Sequence, residues 1–177
     1  MSVLARNRSL SKLEFYKNAM VIRKKMVFLL LRDIGVKNRV RTLHIEAKNM
    51  EPLDAEAFRA IAEKYGIGEL ADEYPEWIIV KLRDSIWDLL RDMMVNITRA
   101  YTIWATNISE AYERRNAQNR AIADCESILK ELELVIDILP VNADKYMTYV
   151  DSLEREIALL KGWRKSDNKR ISELKKE

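Results

Sequence analysis

Apolar residues recur at three- and four-residue steps between Ile78 and Trp104, at Ile78, Leu82, Ile86, Leu89, Leu90, Met93, Ile97, Ala100, Tyr101 and Trp104. That spacing marks one face of an α-helix. Arg83, Asp84, Asp88, Arg91, Asp92 and Arg99 take most of the other side. A helix of this length, about 40 Å at 1.5 Å per residue, is not stable alone in water and needs partners of similar length. The pattern predicts such a helix over 76–105, opened by Pro75, and other parts of the chain supply the partners.

The first partner is predicted over 11–34, with a stripe of Phe15, Ala19, Ile22, Met26, Leu29 and Leu30. Ser11 and Glu14 have capping-box spacing, Leu10 and Phe15 the spacing of a hydrophobic staple, and Gly35 suits the position just past the end. The run Met26 to Leu31 is apolar around the whole helix, so one core cannot cover it. The expectation is a second apolar contact through Val27, Phe28 and Leu31, an oligomer interface; the alternative is a loop folded over them. A third helix is predicted over 109–139, with Ser109 as candidate cap. Its stripe is Ala121, Cys125, Ile128, Leu129, Leu132, Val135, Ile136 and Leu139, and Pro140 stops it. The fourth spans 142–164. Asn142 is its expected cap, Val141 and Tyr146 its staple, and Tyr146, Tyr149, Val150, Leu153, Ile157 and Leu160 its stripe.

Short connections on both sides of the third helix force antiparallel neighbours. The expected fold class is therefore all-α: a single domain over 1–177, an antiparallel up-and-down four-helix bundle. An insertion at 36–75 separates its first two helices; there Asp54 caps a short helix, Ala55 to Lys64, ended by Gly66 and Gly68.

Composition agrees, since 4 glycines and 3 prolines are too few for a turn-rich β protein. The single cysteine excludes an internal disulfide and fits a reducing compartment. With no apolar run of membrane-spanning length and no signal-peptide core at the start, a cytoplasmic protein is expected. The net charge of +3 hides an asymmetry: residues 1–41 hold 11 Lys and Arg against 2 acidic residues, and the remainder holds 20 against 26. That imbalance points to a polyanionic partner, with a solvated helix face as the plain alternative.

Catalytic chemistry finds little to work with. One histidine, His44, removes the usual nucleophile–base pairs and, without nearby cysteines or a matching acid, reads as structural. No phosphate-binding glycine loop occurs. Cys125 sits on an apolar stripe as a small hydrophobe, and the acidic pairs Glu131/Glu133 and Glu154/Glu156 read as outward-facing. No enzyme activity, metal or cofactor is expected. Binding remains. Candidate nucleic-acid contacts are Arg23, Lys24, Lys25 and Arg32; Lys37, Arg39 and Arg41; Arg114, Arg115 and Arg120; and Lys161, Arg164, Lys165, Lys169 and Arg170. An up-and-down arrangement brings Arg114 and Arg115 near Lys161 to Lys165. Trp163 has two readings, a platform for a base or a seal on the bundle end, and the seal is favoured.

Five stretches carry a family resemblance: LEFYKNAMVIRKKMVFLLLRDIGVK, YPEW with RDSIWDLLRDMM, YERRNAQNRAI, and above all ILPVNADKYMTYVDSLEREIALLKGWRKSDNK. Together they resemble the accessory variability determinant of diversity-generating retroelements, over nearly the whole chain. That family lies within a wider group of small four-helix-bundle proteins, which includes proteins encoded in insertions of bacterial large ribosomal RNA genes. The resemblance implies a homopentamer of bundles forming a barrel with a basic surface. It also implies the retroelement reverse transcriptase and its template RNA as partners, with the reverse transcriptase doing the chemistry. A protein-interaction bundle without a retroelement role, of ribosomal-RNA-insertion or scaffold type, is the alternative.

Overall fold

The computed structural model describes residues 9–31, 50–64, 76–139, 141 and 143–176, without the side chains at 62, 76, 169 and 170. The expectations placed on Arg32, Gly35, Lys37, Arg39, Arg41, His44, Pro140 and Asn142, and on the side chains of Lys169 and Arg170, lie outside these residues. The described chain is all-helical, with no strand among the described residues. A short 3-10 turn, Leu10–Lys12, precedes α1 (Glu14–Leu29). Then come α2 (Pro52–Lys64), α3 (Glu76–Thr102), α4 (Ile108–Ile138) and α5 (Ala143–Leu174). No described helix is long and apolar enough to cross a membrane.

α1 packs on α5 and α3, α3 on α4, and α4 on α5. Each strongly packed pair runs antiparallel, as the cross-links descend in register. Arg99 meets Glu113 and Asn96 meets Asp124 across α3 and α4. Arg115 meets Asn168 and Lys161 meets Glu126 across α4 and α5. Between α1 and α5, Phe15 faces Trp163 while Asn18 faces Ser152 and Glu156.

One core runs between these four helices. Ala19, Ile22 and Met26 of α1 meet Ile86, Leu90, Met93 and Ile97 of α3, Cys125, Ile128, Leu132 and Val135 of α4, and Tyr146, Leu153 and Leu160 of α5. Apolar burial at roughly 25 cal/mol per Å² is what holds the long helices together. All six stripe positions expected of α1 are buried. On α3 the core face is turned slightly from the expected one: Ile79 and Met94 are buried, Ile78 is half-buried, and Trp104 is 54% exposed. Trp104 lies beyond the end of α3 at Thr102, so helical spacing no longer governs it. α2 contributes a buried Ala55 but no member of the main core.

Four boundary expectations are corrected. α2 begins at Pro52, so Asp54 stands inside its first turn and does not cap it. Ser11 does not cap α1. Leu13 holds the cap position in an extended conformation without a side-chain bond, and the Ser11 hydroxyl lies 2.7 Å from that of Ser9. This lets the 3-10 turn lay Leu10 against the core. Ser109 does not cap α4 either: Asn107 does, its Oδ1 accepting the Glu110 N–H at 3.0 Å. Glu110 returns the contact, its carboxylate accepting from the Thr106 N–H and hydroxyl at 2.7 Å each, which lowers its pKa. Finally, α5 continues to Leu174 rather than ending near 164. The polar tail stays helical because Ile171 packs with Ala105 and Ala111 in a second small core.

Candidate nucleic-acid interface

The end of α5 and the start of α4 bring the predicted cations together. Arg114 is the most enclosed, its side chain 17% exposed. Its Nε lies 2.8 Å from Asp167 Oδ2, and its Nη2 donates to Asp167 Oδ1 at 3.3 Å. The guanidinium also sits 5.4 Å from the centre of the Trp163 ring. Trp163 in turn stacks on Phe15, with ring centres 4.2 Å apart and planes 12° from parallel. Beneath them Gln118 is fully buried and donates to Asp167 Oδ2 at 2.8 Å. Trp163 is therefore the seal on this end of the core, and Arg114 a structural ion pair beside it.

The cations around this plug are arranged differently. Arg115 donates to Asn168 Oδ1 at 2.8 Å, and Arg164 to Asn119 Oδ1 at 2.7 Å. Both partners are neutral, so each guanidinium is oriented without a countercharge beside it. Lys161 meets Glu126 at 3.2 Å with both side chains about half exposed, a pair that water and salt loosen readily. Lys165 and Arg120 are exposed and form no salt bridge among the described residues. Sequence spacing missed the partners Asn119, Asp167 and Asn168. The signal was there for Gln118 and Asp167, which stand at helical intervals from buried neighbours such as Ala121 and Ile171.

On α1 the cations Lys24 and Lys25 are exposed and Arg23 half-exposed. Among them runs an outward apolar face. Met20 is 44%, Val21 48%, Phe28 47% and Leu31 58% exposed, with Val27 half-buried. At 3.6 residues per turn these positions lie across the helix from Ile22, Met26 and Leu29, so α1 is apolar on two opposite sides. Leu31 stands in the wider turn formed by residues 30 and 31, where the Leu30 N–H reaches both Met26 and Val27 carbonyls.

The expectation that Glu156 faces outward is overturned: it is fully buried. Its Oε2 accepts from Asn18 Nδ2 at 2.8 Å, while Oε1 has no hydrogen-bond partner. Burial pushes its carboxyl up to about 7, against the opposing pull of Asn18 and Arg155. Charged residue type concealed a position that lies three residues after Leu153 and four before Leu160, on the core stripe itself. Cys125, fully enclosed on α4, has its thiol pKa raised chiefly by burial and carries no thiolate character near neutrality. Among the described residues no group of three His, Cys, Asp or Glu side chains is placed to hold a metal ion.

Comparisons with protein-family models, with curated proteins and with solved structures return no match.

Proposed function

We propose that the chain is a non-enzymatic accessory protein of a diversity-generating retroelement, an antiparallel four-helix bundle with an insertion, joined through α1 into a ring or barrel. In this reading it binds the retroelement reverse transcriptase and template RNA and supports mutagenic cDNA synthesis. The sequence resemblance supplies the family. The observation that carries the reading is the second apolar face of α1, Met20, Val21, Phe28 and Leu31, exposed beside Lys24 and Lys25. An apolar face flanked by cations suits self-association that pools positive charge into one large basic surface. Homopentamer is the state the resemblance implies.

The test is RNA binding followed across a salt series. Release of counterions from several phosphate contacts makes affinity fall steeply with salt, on the order of a thousandfold between 50 and 200 mM if about six phosphates are engaged. Absent binding at low salt, or binding indifferent to salt, overturns the nucleic-acid role.

One observation favours a second reading, a protein-interaction bundle without a retroelement role. Arg114 and Lys161 hold carboxylate partners within the chain. That leaves fewer uncommitted cations at this pole than charge counting suggests. Charge reversal of Lys165 and Arg164 that leaves RNA binding untouched favours this second reading.

A further inference from the structure

The half of the α4–α5 pair farthest from Trp163 has the opposite chemistry to the basic pole. Between the two helices lies an open groove of about 300 Å³. Leu129 and Ile136 of α4 and Val150 of α5 form its apolar part, and Glu133, Asp137 and Glu154 its acidic part. The three apolar side chains are half-buried, so each keeps a face toward water. Lys130 reaches Glu133 at 2.6 Å, but both side chains are largely exposed. Asp137 and Glu154 are exposed and form no salt bridge among the described residues. The surrounding residues 126–154 hold 7 acidic against 2 basic side chains, so the negative field extends beyond the groove.

We propose that this groove is a docking site for a basic amphipathic segment of a partner polypeptide. The inference stands whether or not the retroelement reading does. Charge complementarity selects the occupant. Nucleic acid and anionic lipid surfaces are repelled by this field. A polyamine satisfies the carboxylates but leaves Leu129, Ile136 and Val150 wet. An amphipathic helix satisfies both, laying leucine-type side chains between α4 and α5 while lysines or arginines reach Asp137 and Glu154. The molecule then has two ends of opposite preference, one for polyanions and one for cationic protein.

The test uses the full chain and a synthetic amphipathic peptide with lysine and leucine at helical spacing, alongside its glutamate-for-lysine counterpart. Methyl NMR reads Leu129, Ile136 and Val150. The lysine peptide should shift these methyls and the glutamate peptide should not. The double variant Asp137→Lys/Glu154→Lys, both exposed positions, should weaken the lysine peptide at least about tenfold while its circular dichroism stays native. Four results overturn the proposal: binding that leaves the three methyls unmoved, equal affinity for the double variant, the same methyl shifts with spermine alone, or shifts that arise from raising protein concentration without peptide. The last would give the groove to a second copy of this chain.

Discussion

Glu156 is held in the core by one hydrogen bond from Asn18, with its other oxygen unpartnered. Burying a carboxylate costs more than burying a carboxylic acid, which is why the proton is retained to about pH 7. The groups acting on it are Asn18 and Glu14 on α1 and Arg155 beside it on α5, and it lies near enough to Cys125 of α4 to act on that thiol. Its folded pKa lies above the ordinary glutamate value of 4.5, so the folded state binds the extra proton between those two values. Stability is then greatest below pH 4.5 as far as this group is concerned, falls as pH rises, and levels off above pH 7. Glu156→Gln should abolish that slope and stabilise the protein at pH 8 by on the order of 2–3 kcal/mol. Urea denaturation at pH 5 and pH 8 measures it; an unchanged slope in the variant would show that another group titrates.

Helix ends and helix interiors carry different signals. Asn107 and Glu110 fix where α4 begins, through three bonds that satisfy backbone or hydroxyl donors of the α3–α4 turn. Asn107→Ala should cost about 1 kcal/mol, read as a lower denaturation midpoint at constant denaturant sensitivity. Gly162 presents the reverse case. It lies inside α5, and a methyl group added there meets nothing within 4 Å. Gly162→Ala should therefore stabilise the protein by about 0.5–1 kcal/mol, through helix propensity and a less flexible unfolded chain. A thermal melt that moves downward would show that the glycine serves a contact made only with a partner. The C-terminal extension of α5 was hidden for a related reason: the residues after Trp163 are mostly polar, Ile171 and Leu174 are their apolar anchors, and Asp167 and Asn168 tie them to Arg114 and Arg115 of α4.

For the whole molecule, charge and apolar surface are segregated. Lys24 and Lys25 stand exposed beside the outward apolar face of α1, while the acidic groove lies on the α4–α5 side. α1 itself packs on α5 and α3 through its inner stripe, and Phe28 and Leu31 on its outer side are about half exposed. Phe28→Asp should yield monomers or aggregates, because a charge placed in an apolar contact is left unpaired on assembly. Light scattering decides the matter: a soluble oligomer of unchanged mass after the substitution removes α1 as the interface.

Helix existence, helix order and most of the core were legible in the chain, because a 3.6-residue period writes burial directly into the spacing of side chains such as Ile22, Met26, Leu132 and Leu153. The sealing role of Trp163 could be named from its place beside the bundle end, but not the Phe15 ring it stacks on. Only the tertiary structure decided which partners meet the polar residues that helical spacing places near the core. Gln118, Glu156 and Asp167 depend on partners that lie 49, 138 or 53 residues away in the chain, and local spacing holds no record of them. It likewise decided which cations face a carboxylate, since an arginine facing Asp167 and one facing Asn168 are identical until the helices pack.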